Sequence, residues 1–310
     1  MYEGLRVGVV VPAWNEVAHI AAVITTMPHF VDFIVVVDDA STDSTSAIAR
    51  SVIDSRVRVV TQPSNGGVGS SILTGHEIVF AEDCDVSVVM AGDAQMDPTY
   101  LAALLDPIAH DGIGFSKANR FFSRASYASM PRSRVFGNVV LSFMTKASSG
   151  YWHLFDPQNG YTALRRSAWN LIDPTAISRR YDFENSLLIH LNVAGVRARD
   201  VPIPAVYGEE VSGIKLGKVV PRLLLTLWKG FWYRIFRRYV VPSFSPVALL
   251  LFVGLAMAGF GFLVGLFAVI YSIGPREAST GTWLLSVAPG VVGIMMMVQA
   301  LVLDIQESPR

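Results

Sequence analysis

The sequence predicts an α/β domain built on a mostly parallel sheet, followed by a basic amphipathic segment and a hairpin of two transmembrane helices. Three observations predict it. Before residue 205, short apolar runs rich in β-branched side chains alternate with segments of helical spacing, the pattern of a parallel sheet covered by helices. Seven basic residues and no acidic one lie from Lys215 to Arg238. Two long uncharged apolar runs close the chain. The implied division is 1–212 for the α/β domain, 213–242 for the amphipathic segment, and 243–310 for the hairpin with a short tail.

The predicted strands are Val7 to Val11, Phe33 to Asp38, Val57 to Thr61, Val86 to Ala91 and Ile113 to Ser116, with helices over Val17 to Met27, Ser44 to Ile53, Val68 to Phe80 and from Tyr181 to Val193. The first strand runs into Pro12-Ala-Trp-Asn-Glu16 rather than a G-x-G-x-x-G turn, which argues against a nicotinamide enzyme. The second ends in Asp38-Asp39-Ala-Ser-Thr-Asp43. Of two adjacent carboxylates, one can accept hydrogen bonds from a base or ribose while the other caps local backbone. Asn65-Gly-Gly-Val-Gly69 lacks the Lys-Ser/Thr ending of an ATPase phosphate loop; its glycines allow either a close nucleotide approach or an ordinary turn. Val86 to Ala91 reads as a strand buried on both faces and leads to Asp93-Ala-Gln95. Ligands in such sheets sit beyond the carboxyl ends of the strands, and an Asp carboxylate with a Gln carbonyl suits a hard cation such as Mg2+ or Mn2+. Asp97-Pro98 supplies the competing reading, a helix start.

A mean hydropathy of +0.43 and a hydrophobic fraction of 52% exceed what an ordinary soluble chain carries. The excess lies in Val247 to Ile270 and Trp283 to Leu303, each long enough to cross a hydrocarbon core of roughly 30 Å. Between Val219 and Val240 the basic residues interleave with Leu, Phe and Trp, as in a helix lying among lipid headgroups, and nucleic acid is a poor partner for that pattern. Excess Lys and Arg beside the first span place that side, and with it the α/β domain and both termini, in the cytoplasm. The start, Met1-Tyr-Glu-Gly-Leu-Arg, enters a strand without a secretory leader. Cys84 is the only cysteine, so an intrachain disulfide and a thiolate zinc site are excluded, and the six histidines have no metal-ligand spacing. Gly254, Ala258, Gly261 and Gly265 permit close helix contact within the hairpin or between subunits of a homo-oligomer.

Five motifs in order, Val11-Pro-Ala-Trp-Asn-Glu16, Val37-Asp-Asp-Ala-Ser-Thr-Asp43, Asn65-Gly-Gly-Val-Gly69, Gly92-Asp-Ala-Gln95 and Asp156-Pro-Gln-Asn-Gly160, followed by a membrane hairpin, resemble glycosyltransferase family two over about residues 5 to 215. They look most like the polyprenyl-phosphate glycosyltransferases related to dolichol-phosphate mannose synthase. The resemblance implies a GT-A fold with Pro12, Trp14, Glu16, Asp38, Asp39 and Gly69 at the nucleotide. Trp14 stands where the family usually has Tyr, and Asp93 and Gln95 would hold the cation on the diphosphate. It also implies that Asp156, Gln158 and Asn159 position sugar hydroxyls or the attacking phosphate, and that Glu184 reaches the sugar pocket. Ala91 replaces the family's first Asp. Glu209 to Lys215 replaces an Arg-containing loop, leaving Lys215, Lys218 and Arg222 as acceptor-phosphate ligands. The Q-x-x-R-W mark of processive synthases is absent from the sequence. The expected activity is inverting transfer of one sugar from a UDP- or GDP-linked donor to a polyprenyl phosphate at the cytoplasmic membrane face. The residues leave open a membrane-anchored nucleotidyltransferase or hydrolase, and an inactive nucleotide-sugar-binding protein.

Overall fold

A strand of β-branched residues with no polar face needs helices above and below it and neighbours on both edges. In the computed structural model, which describes residues 1–122, 132–156, 159–204, 216–273 and 277–310, strand β1 (Val7–Ala13) has all of these and is buried along its whole length. It pairs in parallel with β2 (Phe33–Asp38) and β4 (Val86–Val89), and β2 pairs in parallel with β3 (Val57–Thr61). Beyond β4 lies β6 (Thr162–Arg165), antiparallel to both β4 and β5 (Phe115–Asn119), and β7 (Ala198–Pro202) closes that edge parallel to β5. The order β3-β2-β1-β4-β6-β5-β7 places a reversal between β1 and β4, where a crevice opens at the carboxyl ends of both strands.

Alternating residues of β1 and β2 feed two cores. Val9, Val11, Ile34 and Val36 pack with α1 (Ile20–Thr25), α2 (Thr45–Ser51) and α4 (Leu101–His110). On the other face Val10, Val35 and Val37 meet Val79 of α3 (Val68–Ala81). There α3 lies close to β1, because a Cβ on Gly75 would run into Val10 and one on Gly8 into Val79. The same face continues through Phe115 and Leu164 to α7 (Phe183–Val193), with the single turn α6 (Arg166–Trp169) beside it. α5 (Arg132–Ser149) joins α7 through a buried Thr145 to Asn185 hydrogen bond of 3.1 Å.

Two of the five predicted strands, β2 and β3, have the expected bounds; the other three differ for stated reasons. β1 runs on to Ala13 because it pairs with β2 through Ala13 and Asp38. β4 stops at Val89, where the chain turns into the Ala91–Gln95 tip. β5 covers 115–119 rather than 113–116, since Lys117 and Asn119 pair with Asp200 and Pro202 of β7 in the ladder. β6 and β7 lack the apolar runs that a sequence reading needs.

By contacts the chain forms two compact units, Met1–Phe231 with Pro309–Arg310, and Trp232–Ser308. The predicted amphipathic stretch is helical from Leu216 to Arg234 (α8) and continues as a wider π-turn over Ile235–Val240. In the second unit α9 (Pro246–Ser272) and α10 (Thr280–Gln306) are 27 residues each, about 40 Å at helical rise. Both are long and apolar enough to cross a membrane, and only 22% and 11% of their most apolar stretches are buried, unlike the core helices of a soluble domain. The small-residue stripe serves the hairpin itself: a Cβ on Gly254 would meet the Gly293 carbonyl, one on Gly261 the Ser286 carbonyl, and Ser286 Oγ donates to Gly261 O at 2.8 Å. Near its polar end Arg234, fully buried, forms a two-pronged pair with Asp304 at 2.6 and 3.0 Å, and Tyr239 Oη donates to the same carboxylate at 2.6 Å.

Candidate active site

Beyond β1 and β2 the two strand exits are tied together. Asp39 N donates to Ala13 O (2.9 Å), Asn15 N to Ser41 Oγ (2.9 Å), Thr42 N to Asn15 Oδ1 (2.9 Å) and Glu16 N to Thr45 Oγ1 (2.8 Å). Asn15 and Ala40 take left-handed φ values of 59° and 57° to make this possible. Both carboxylates accept main-chain amides, where the sequence reading left one of them for a base or ribose. Asp38 Oδ1 accepts the Ser41 amide at 3.1 Å, while Asp39 accepts Gly66 N on one oxygen (2.8 Å) and Gly67 N on the other (2.9 Å). Asp39 thus fastens the glycine loop to the end of β2. Gly69 is required by packing, since a Cβ there would press on the Arg179 backbone and on Phe183, and Ser70 N donates to Arg179 O at 3.0 Å. Trp14 stands at the β1 exit, 54% exposed and open to stacking.

Across the reversal, the tip after β4 rests on the β1 exit. Gly92 N donates to Pro12 O at 3.1 Å, and a Cβ on Gly92 would lie 3.3 Å from Ala13 and 3.4 Å from Glu16. Asp93 Oδ1 accepts Gln95 N at 3.0 Å around a left-handed Ala94, φ 59°. Asp97 caps the turn Pro98–Tyr100, accepting Thr99 N at 2.8 Å and Thr99 Oγ1 at 2.7 Å. The helix start is therefore Asp97, and Asp93 takes no part in that cap. Among the described residues no group of three His, Cys, Asp or Glu side chains is gathered as a metal cage. The Asp93 carboxylate and the Gln95 carbonyl are nevertheless hard oxygen donors, and they fit a divalent cation that takes its remaining ligands from a diphosphate and water.

A third cluster forms where β5 ends. Asp156, buried and left-handed (φ 49°), has both oxygens on the Arg120 guanidinium: Nε to Oδ2 at 2.7 Å and Nη2 to Oδ1 at 2.8 Å. Asn159 N donates to Asp156 O at 3.0 Å, and its side-chain amide reaches Oδ2 at 3.3 Å. Beneath them Lys117 Nζ donates to Phe155 O and Asp156 O, both at 2.6 Å, and pairs with Asp200 at 3.5 Å. Beside Asp156 opens a cavity of about 210 Å3 walled by Phe121, Val139, Ser142, Phe143, Lys146 and Phe155. Gln158 and Lys215 lie outside the described residues, and Lys218 and Arg222 are described only as backbone of α8.

The sequence profile of "Glycosyl transferase family 2" matches residues 8–172, more than half of the chain. The chain belongs to glycosyl transferase family 2. This transferase is 27% identical to the UDP-N-acetylglucosamine–dolichyl-phosphate N-acetylglucosaminyltransferase of Methanococcus voltae, over 70% of this chain and 94% of that one. It is also 27% identical to the undecaprenyl-phosphate mannosyltransferase of Micrococcus luteus, over 74% and 99%. Its GT-A-like fold is shared with glucosyl-3-phosphoglycerate synthase from Mycobacterium tuberculosis, solved with Mn2+, UDP-glucose and phosphoglyceric acid, at a TM-score of 0.55 and 21% identity over 74% of this chain and 80% of that one.

Electrostatics set the carboxylates Asp156 and Glu184 apart. Burial opposes ionisation of Asp156, but the Arg120 guanidinium and the Lys117 amine outweigh it and hold the carboxyl below the usual range. Glu184, in the first turn of α7, shares a water-sized cavity with Lys117, Asn159 and Gly160, and desolvation raises its pKa to about 7. The pH dependence follows in sign. Folding disfavours the charged form, so stability falls as pH rises from 4.5 towards 7 and is level above that. The shift from 4.5 to about 7 is worth about 3 kcal/mol, reduced to about 2 kcal/mol because the side chain keeps some solvent contact. Glu184→Gln is therefore expected to stabilise the protein by about 2 kcal/mol at pH 8 and by nothing at pH 4, read by denaturant melts at both values. Lys117, Arg120 and Asp200 escaped the sequence reading. The available signal was a lone lysine at an inward position of the alternating run Phe115-Ser-Lys-Ala-Asn119.

Proposed function

We propose that this transferase moves a single sugar from a UDP- or GDP-linked donor to a polyprenyl phosphate at the cytoplasmic face of a membrane. The observation that carries the reading is the largely apolar cavity that opens on Asp156, the ion-pair partner of Arg120, with Lys146 in its wall. An acceptor with a phosphate head and an isoprenoid tail matches such a site, and the chain continues into two helices apolar enough to hold it at a bilayer. Relatives named for dolichyl-phosphate and undecaprenyl-phosphate acceptors support the same class. The Lys and Arg of 215–238 support the cytoplasmic orientation and a surface-lying α8.

Pro12, Trp14, Glu16, Asp38 and Asp39 line the donor side in this reading, with Gly69 behind them. Asp93 and Gln95 hold a Mg2+ or Mn2+ ion, which when bound supplies positive charge at the departing diphosphate. A phosphate monoester has its second pKa near about 6, so the acceptor arrives with a deprotonated oxygen and needs no strong base. Arg120, 35% exposed at its side chain, orients that phosphate, with Lys215, Lys218 and Arg222 as further cationic contacts. The acceptor oxygen bonds to the anomeric carbon as the bond to the diphosphate breaks on the opposite face, inverting the centre. Asp156 and Asn159, with Gln158 and Glu184, position the sugar. Release of nucleoside diphosphate from each donor of a UDP and GDP series, with and without a prenyl phosphate, tests the proposal: release is expected only with the lipid, whereas equal release without it marks a hydrolase.

A further inference from the structure

Lys117 is a charged residue set inside a strand, with 2% of its side chain exposed. Its neighbours on the same face, Phe115, Phe183 and Leu187, are apolar, and burial pushes the amine below its usual range even with Asp200 and Asp156 close by. A methionine or leucine would fill the position without that cost. What the amine supplies is hydrogen bonds: Nζ donates to Phe155 O and Asp156 O at 2.6 Å each and to Ala118 O at 3.3 Å. Its counter-charge works on the same turn, since Asp200 Oδ2 accepts Phe155 N at 2.5 Å and the Asn119 amide at 3.2 Å. The Phe155–Asp156 turn is thus held by its N–H from one side and by two carbonyls from the other. At its end Asp156 keeps a left-handed backbone, a conformation that persists only where the surroundings over-determine it. From there its carboxylate meets the two nitrogens of Arg120.

We propose that Lys117, with Asp200 as its counter-charge, is a positioning residue for sugar transfer: it holds the Phe155–Asp156 turn in the geometry that sets the Arg120 guanidinium towards the acceptor phosphate. The role in transfer rests on the polyprenyl-phosphate reading above; the clamp itself does not. An apolar side chain at 117 packs but leaves the half-buried Phe155 O without its donor and the buried Asp156 O with the Asn159 amide alone, so the turn relaxes and Arg120 loses its fixed direction.

The test uses the full chain in detergent. In Lys117→Met, kcat/KM for a prenyl phosphate is expected to fall about 30-fold while the Kd for the nucleotide sugar stays within about twofold. Added to Asp156→Asn, Lys117→Met is expected to lower activity by no more than about twofold further, because both changes act through one turn. Hydrogen exchange at Asn159–Tyr161 is expected to quicken in Lys117→Met with the rest of the sheet unchanged. Unaltered acceptor kinetics, a loss that multiplies with that of Asp156→Asn, or a parallel fall in donor affinity overturns the proposal. Should Lys117→Met not fold, Asp200→Asn, which keeps an acceptor for Phe155 N but no charge, carries the same measurements. If the wild-type chain transfers nothing to prenyl phosphate, the acceptor reading falls, and the exchange arm still decides the clamp: unchanged exchange in the variant removes it.

Discussion

Arg120→Ala is expected to lower kcat/KM for the lipid phosphate by about 1,000-fold while donor affinity changes little, read by steady-state kinetics with each substrate varied in turn. Two losses combine in this figure. In the proposed reading the acceptor phosphate loses the cation that orients it, and the buried Asp156, which lines the cavity, loses the group that occupies both its oxygens. Lys117 does not replace it, because its amine bonds to the main-chain carbonyl of Asp156 and not to the carboxylate. With only the Lys117 charge left to oppose burial, the Asp156 carboxyl rises from its depressed value, so the residual activity should gain an acid limb that the wild type lacks at the same pH. Arg120→Lys keeps the charge but offers no planar fork to the two oxygens, and should fall between the two.

Asp93→Asn is the second large effect, a loss of about 100-fold or more in transfer rate with retention of the fold. Asp93 stands at the chain reversal between β1 and β4 and contributes the charged oxygen of the tip, with Gln95 contributing a neutral one. Ala91 stands two places earlier, so a cation there draws most of its ligands from the donor diphosphate. The wild type should therefore bind Mn2+ weakly alone and firmly with the nucleotide sugar, by calorimetry in both conditions, and the variant should lose the donor-linked part. Equal Mn2+ affinity with and without donor would contradict the assignment.

Much of this was legible in the chain, for physical reasons that differ by region. The strands β2 and β3 are read to the residue because their apolar runs end where polar turns begin, and the two long apolar helices to within three residues because nothing charged interrupts 247–270 or 283–303. The tip at Asp93 and the paired carboxylates Asp38 and Asp39 were visible as polar residues at strand exits, where open sheets bind ligands. Their partners were not, since only the fold shows that Asp38 accepts the Ser41 amide and Asp39 the amides of Gly66 and Gly67. The Lys117–Arg120–Asp156–Asp200 cluster was hidden for another reason. Its members come from three segments distant in the chain: Lys117 and Asp200 face each other across the β5–β7 ladder, Asp156 comes from the turn before β6, and neither β6 nor β7 carries an apolar run that can be read. The Arg234–Asp304 pair is the same case in the second unit, two residues 70 positions apart whose meeting depends on closure of the hairpin.

The most direct test of the central claim is the mass of the lipid formed from a polyprenyl phosphate and a nucleotide sugar. The full chain should yield an organic-extractable product heavier than the acceptor by one sugar residue, joined through a single phosphate, with the anomeric configuration opposite to the donor's. A product carrying a sugar diphosphate linkage, a product with several sugars, or free sugar without any lipid product would contradict it.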